Sequence, residues 1–328
     1  MQHATFDPHP LLRGAHSQTL TGWLMASHRR PYQAEPRHVV LDDGDQVVLH
    51  DDCPQDWSNG DPTVLMLHGL AGCHQSAYMQ RIAARLNDLG MRTFRMDLRG
   101  AGAGMQLARR PYHAGSSEDA AVALKGIASW CPTSPSVVLG FSLGGAIVLN
   151  LLGRCGLHTP GNLIGAAAVC PPIDLRACVE RIQTGRNRLY ERYFLLHLSR
   201  QAELHRQIGH RVSTPQLPRR LRSVNQFDEL FTAPASGFRD AQDYYTRCSA
   251  EHVISNIRKP TLILASRDDP MIPPEPWQRV SLSSSTRLCL TDHGGHLGFI
   301  SRGGGQDPDR RWMDWRIVNW VRQQMAAV

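Results

Sequence analysis

Ser136–Leu152 reads SVVLGFSLGGAIVLNLL, and the fold is decided here. SVVL is a short apolar run with two β-branched residues, the mark of a buried strand. GGAIVLNLL is long enough and apolar enough for a buried helix. Between them Gly140, Phe141, Ser142, Leu143 and Gly144 spell GxSxG. By composition alone, roughly one chain in ten of this length would carry that pattern by chance. Its setting is far more specific. A serine on a tight turn from strand to helix is held out for attack, and flanking glycines remove Cβ atoms that would clash in the turn. The plain alternative is a glycine-rich structural turn with an incidental serine.

Working outward, short apolar runs alternate with amphipathic stretches. RHVVLDDGDQVVLHD (Arg37 to Asp51) reads as a hairpin turning at Asp43 and Gly44. TVLML (Thr63 to Leu67) is a buried strand. YMQRIAARLNDLG has helical spacing at Met79, Ile82, Ala83 and Leu86, closed by Gly90 as a C-cap. MRTFRMDL is the next strand. SSEDAAVALKGIASW opens on the acidic, cap-forming residues of a helix N-terminus. LIGAAAVC, TLILAS and STRLCL are later strands, and a helix is expected around Trp312 to Met325. The alternation implies an α/β protein with a largely parallel sheet and flanking helices. It pauses from about Asp174 to Lys259, which reads as helical. The expectation is one domain over residues 1–328 with a helical cap insertion at about 174–259.

A serine hydroxyl needs a base to take its proton and an acid to orient that base. TLILAS ends in RDDPMIP, which places Asp268 and Asp269 at a strand end. Pro273 follows Asp269 by four residues, the usual acid-to-proline spacing, so Asp269 is favoured and Asp268 is read as a turn or surface residue. STRLCL is followed by TDHGGHLGF. His296, after two glycines and before Leu297, is the expected base, 27 residues beyond the acid (296 − 269); His293 is read as a loop residue. An oxyanion requires N–H donors. The backbone N–H of Leu143, next after the nucleophile, is one. The other is expected from HGLAG (His68 to Gly72), at the N–H of Leu70.

The remaining composition is bounding rather than directing. At 41% hydrophobic and 20% charged, a chain of 328 residues buries a sizeable core without staples. Eight cysteines are scattered with no CxxC pair and no zinc-type spacing, so they read as free thiols in a reducing compartment. With no signal-type N-terminus and no run of about 18 apolar residues, the expectation is a cytoplasmic protein. Net charge is +7, and Arg176 to Arg222 holds eleven Arg and three Glu, net +8, leaving the rest at 7 − 8 = −1. One basic segment is not the spread stripe of a nucleic-acid binder. It reads first as solvated helix faces, and second as a surface for anionic substrates or lipid headgroups, with peripheral membrane-surface contact left open. LRGAGAG (Leu98 to Gly104) lacks the phosphate-loop patterns, which argues against a nucleotide enzyme.

Several segments together resemble the YheT-type branch of the α/β-hydrolase superfamily, bacterial hydrolases related to mammalian lipid-handling α/β-hydrolase-domain proteins. They are FDPHPLLRGAHSQTL, LDDGD, HGLAG, LRGAGAG, YHAGSSEDA, GFSLGG, YYTRCSA, RDDP and HGGHLGF, spread over nearly the whole chain. HSQTL and YHAG are more specific than GxSxG. Ser17 stands where Leu is expected, away from the triad. The resemblance implies a serine hydrolase cleaving carboxylic esters, of esterase or lipase type, on Ser142, Asp269 and His296. It implies no organic cofactor and no metal. The expected partner is a small-molecule or lipid-like ester, with no nucleic acid and no obligate protein partner. His113 and Asp119, inside the resembling segment, are read as positioning or structural residues. The competing readings are an acyltransferase using the same acyl-enzyme and a non-catalytic ligand-binding protein.

Overall fold

The structure, a computed structural model, describes residues 5–25, 33–207, 217–218 and 220–327. Eight strands form one sheet: β1 (Glu35–Val40), β2 (Gln46–Asp52), β3 (Thr63–Leu67), β4 (Arg92–Asp97), β5 (Ser136–Phe141), β6 (Leu163–Val169), β7 (Thr261–Ser266) and β8 (Thr286–Thr291). Their spatial order is β1-β2-β4-β3-β5-β6-β7-β8. β2 runs antiparallel to both neighbours and every other pairing is parallel. The hairpin lies where the sequence puts it, with Gly44 at φ +83° in the turn.

All residues of β3, β4, β5 and β7 are buried, as expected for strands covered on both faces. The helices doing the covering are α2 (Ala77–Asn87), α3 (Ser117–Trp130), α4 (Leu143–Cys155) and the C-terminal helix Trp312–Met325, while α1 (Ala15–Leu24) packs on the loop after β8. α4 is buried from Leu143 to Gly153, in keeping with its apolar circumference. α3 departs from expectation at its start. Ser116 makes no side-chain cap bond to the helix; its hydroxyl accepts from the His113 N–H instead. Asp119 forms a buried two-point pair with Arg99, at 2.7 and 3.0 Å, so it braces the loop after β4.

The order of strands switches at β3. The chain leaves β3 toward β4 on one side, returns to β5 on the other, and then proceeds outward to β8. Loops leaving β3 and β5 therefore diverge, which opens a crevice at the C-terminal ends of these strands. Between β6 and β7 the described residues hold no strand. They form α5 (Leu175–Ile182), α6 (Arg188–Gln207), the helical stretch 224–235 and the helix Ala241–Cys248. Of the basic segment, Arg211 and Arg219 lie outside the described residues.

Candidate active site

Ser142 occupies the sharpest point of the turn from β5 into α4, at φ +52°. A side chain in that region costs on the order of 1–3 kcal/mol and persists only where its surroundings hold it. Here the Ser142 N–H donates to the Val169 carbonyl at 2.8 Å, and its own carbonyl accepts from Gly145 and Ala146. The spacing of the glycines follows from the packing of this turn. A Cβ at Gly144 would lie 2.5 Å from the Leu67 carbonyl oxygen, and one at Gly140 would collide with Gly144. Substitution at Gly144 would push α4 off the end of β3, and substitution at Gly140 would push it off β5.

The loop after β8 brings His296 to this point. Its Nε2 lies 2.9 Å from Ser142 Oγ, and its Nδ1 lies 2.7 Å from Asp269 Oδ2. A carboxylate only accepts, so Nδ1 carries the proton and Nε2 is free to accept from the serine hydroxyl. Asp269 is 1% exposed. Its other oxygen accepts from the Met271 and Ile272 N–H groups at 2.8 and 3.0 Å, which fixes the carboxylate plane. Asp268 points elsewhere: its Oδ1 accepts from the Gly295 N–H at 2.9 Å, tying the acid loop to the histidine loop. His293 is exposed and stands 3.5 Å from Asp268. Cys170 packs beside Asp269, and burial together with that carboxylate pushes its thiol well up, so it stays protonated.

Leu70 and Leu143 both border the same cavity as Ser142 and His296. The loop that carries Leu70 is gripped on either side. The Gly69 N–H donates to the Tyr78 hydroxyl at 2.9 Å and the Ala71 N–H to the Tyr112 hydroxyl at 2.8 Å. Those two bonds hold the backbone on either side of Leu70. Burial pushes Tyr78 up to about 12 and Tyr112 higher, so both remain hydroxyl at ordinary pH. Leu143 N–H is at the first turn of α4, where helix amides lack intrahelical partners and favour negative charge. Behind this loop, burial opposes ionisation of Asp97, yet hydrogen bonds from His50 and His74 hold its carboxyl well below the usual range.

The cavity above these groups is apolar. Phe194 and Leu198 of α6, Phe227 and Phe231 from the stretch 224–235, and Met271 line it. Polar side chains interrupt it, among them His113 and Asp228. His113 borders the cavity, and its Nδ1 accepts the Gly115 N–H at 3.1 Å, leaving Nε2 protonated. Burial and nearby arginines lower it to about 4, so it is a neutral donor. Asp228 is held by the Thr232 and Tyr245 hydroxyls, each at 2.7 Å, and burial pushes it up to about 6. It lies on a π-type turn, Asp228–Thr232. Sequence reasoning missed Asp228, Tyr78 and Tyr112 as site residues. It also missed Thr19 of α1, whose hydroxyl accepts from the His296 backbone N–H at 2.9 Å. The one signal pointing to Thr19 is its place inside HSQTL.

A family model described as "alpha/beta hydrolase fold" matches residues 62–302. The chain belongs to the α/β-hydrolase family. Within that family it is 32% identical to YheT of Escherichia coli (strain K12), over 99% of this chain and 95% of YheT, which puts it in the YheT-type branch. It is 28% identical to the Homo sapiens protein named Phospholipase ABHD3, over 82% of this chain and 68% of that one. Among solved structures it resembles the Pyrococcus furiosus esterase Pf2001, with a TM-score of 0.57, 15% identity, and coverage of 91% of this chain and 97% of that one. The last likeness concerns the α/β-hydrolase architecture alone. No helix among the described residues is long and apolar enough to cross a membrane.

Proposed function

We propose that this α/β-hydrolase is a serine esterase that cleaves acyl or lipid-like carboxylic esters through an acyl-enzyme. The observation that carries this reading is the continuous chain from Ser142 Oγ through His296 to Asp269, at 2.9 and 2.7 Å, opening on an apolar cavity. His296 Nε2 takes the hydroxyl proton as Ser142 Oγ bonds to the ester carbonyl carbon. The carbonyl oxygen becomes an oxyanion received by the N–H groups of Leu143 and Leu70. Collapse breaks the ester C–O bond, and His296 returns its proton to the departing alkoxide as alcohol. Water then repeats the sequence on the acyl-enzyme, releasing the acid and restoring Ser142. Asp269 holds the Nδ1–H tautomer throughout and stabilises the imidazolium. The apolar lining supplied by α6 and residues 224–235 suits an acyl chain better than a charged group, and the names of the relatives agree with ester substrates.

The test pairs a fluorophosphonate probe with p-nitrophenyl esters of increasing chain length. The protein should label at one serine and hydrolyse the esters. Ser142→Ala should lose labelling and about 10⁴-fold or more in kcat while keeping its melting temperature. Turnover near the parent level in that variant would sink the assignment.

A further inference from the structure

α1 is turned inside out. Its inward face is polar or small: Gln18 and Thr19 are buried, and Gly22 lies so close to the His296 loop that a Cβ there would be 2.7 Å from Gly298 Cα. Gln18 is fully engaged, donating to the Leu12 and Ile300 carbonyls and accepting the Ile300 N–H. The large apolar residues of the same helix point outward, with Trp23 63% and Leu24 67% exposed. A helix that spends its polar residues on the protein and offers its apolar ones to water reverses the usual arrangement.

α6 continues that surface. His16 of α1 meets the Tyr190 hydroxyl at 2.9 Å, and Trp23 packs edge-on against Tyr193 with ring centroids 6.1 Å apart. Leu189, Tyr193 and Leu196 follow at helical spacing, with Leu189 67% and Leu196 50% exposed. The opposite face of α6 gives Phe194 and Leu198 to the cavity. Exposed Arg188, Arg192 and Arg200 stand among the outward residues of α6, in the one strongly basic segment of the chain.

We infer that α1 and α6 form a docking surface for an anionic phospholipid bilayer, placed on the outer side of the helix that walls the active-site cavity. Trp, Tyr and Leu on neighbouring helices bury shallowly at the headgroup level, where an amphipathic ring is at home. The arginines keep their heads at the phosphates while their stems lie along the apolar surface. Contiguous apolar exposure of this kind is unusual on a monomer unless something covers it, and the basic rim selects a negatively charged cover. The inference does not need Ser142 to turn over, so binding is measured on Ser142→Ala.

The experiment is co-sedimentation of the full chain with phosphatidylcholine vesicles, with and without phosphatidylglycerol, at low and high salt. The protein should bind the phosphatidylglycerol vesicles at least tenfold more tightly than the neutral ones, and salt should narrow that ratio. Trp23→Ala with Leu24→Ala should weaken binding about tenfold or more, as the lost apolar burial requires. Arg188→Glu with Arg192→Glu should do the same at low salt and less at high salt. Leu196→Asp on α6 gives an independent arm if the α1 variant is misfolded. Made again with Ser142 intact, all three should hydrolyse soluble p-nitrophenyl acetate as the parent does; if the parent itself does not, the esterase reading fails and the vesicle result stands alone. Absence of binding to phosphatidylglycerol vesicles at low salt overturns the inference. So does binding that none of the variants weakens, or a dimer in solution that Trp23→Ala with Leu24→Ala converts to monomer, which would make the patch a contact between copies.

Discussion

The turn around Ser142 and the helical segment between β6 and β7 both face the cavity, yet the sequence constrains them in different ways. In the turn, backbone geometry dictates residue type. Gly144 abuts the Leu67 carbonyl and Ser142 sits at φ +52°, so a few residues in a row announce the structure. In the helical segment, only the sum of side chains matters. Phe194, Leu198, Phe227 and Phe231 fill one space from two stretches of chain, and another apolar set of similar volume would fill it too. The turn is thus specified locally, while the cavity lining is distributed along the chain.

The sharpest way to test the first half of this contrast is at the acid. Asp269→Asn should cost on the order of 10⁴-fold in kcat, because the amide no longer holds the Nδ1–H tautomer of His296. Asp268→Asn only loosens the tie to Gly295 and should stay within about 10²-fold. Steady-state kinetics on the pair decides it, and the opposite ranking would mean that the acid is assigned one residue too late.

A smaller effect probes the cap. Phe194→Ala should shift the ratio of kcat/KM between long and short p-nitrophenyl esters by about tenfold, the size of a lost apolar contact of roughly 1–3 kcal/mol. Leu189→Ala, on the outer face of the same helix, should leave that ratio alone for soluble esters. Equal chain-length profiles for the two variants and the parent would remove the cap from selectivity.

The smallest expected effect is on stability. Asp228 titrates at about 6 when folded, above the unfolded value of about 3.9, so the folded state holds its proton more tightly. Its contribution is therefore most favourable at low pH and is lost as pH rises from about 4 through about 6, amounting to about 2–3 kcal/mol. Asp228→Asn carries no such charge. Urea melts should show it more stable than the parent at pH 7 by up to about 2 kcal/mol, with the gap closing toward pH 4. A gap that does not vary with pH would show that Asp228 is not buried as a carboxylate.

How much of this was legible beforehand follows from how far apart the participants lie. β5, Ser142 and α4 are consecutive, and their apolar runs and glycines express strict local sterics, so the elbow could be read from one short stretch. Asp269 and His296 were readable because the parallel sheet delivers successive strand ends to one edge, and chain order then names the candidates. The choice between Asp268 and Asp269 rested on spacing to Pro273; the structure directs Asp269 to His296 and Asp268 to Gly295. By contrast, the grip of Tyr78 and Tyr112 on Gly69 and Ala71, and the bond from Thr19 to His296 across 277 positions, join residues with no shared periodicity. The exposed face of α1 was equally hidden. The docking of Gln18, Thr19 and Gly22 against the histidine loop is what turns its leucines and tryptophan outward. Local backbone sterics set the Ser142 turn, and strand order set which loops reach it. The neighbours of each side chain, and therefore the cavity, the clamps and the outer surface, were settled by contacts between distant segments that exist only once the sheet is assembled.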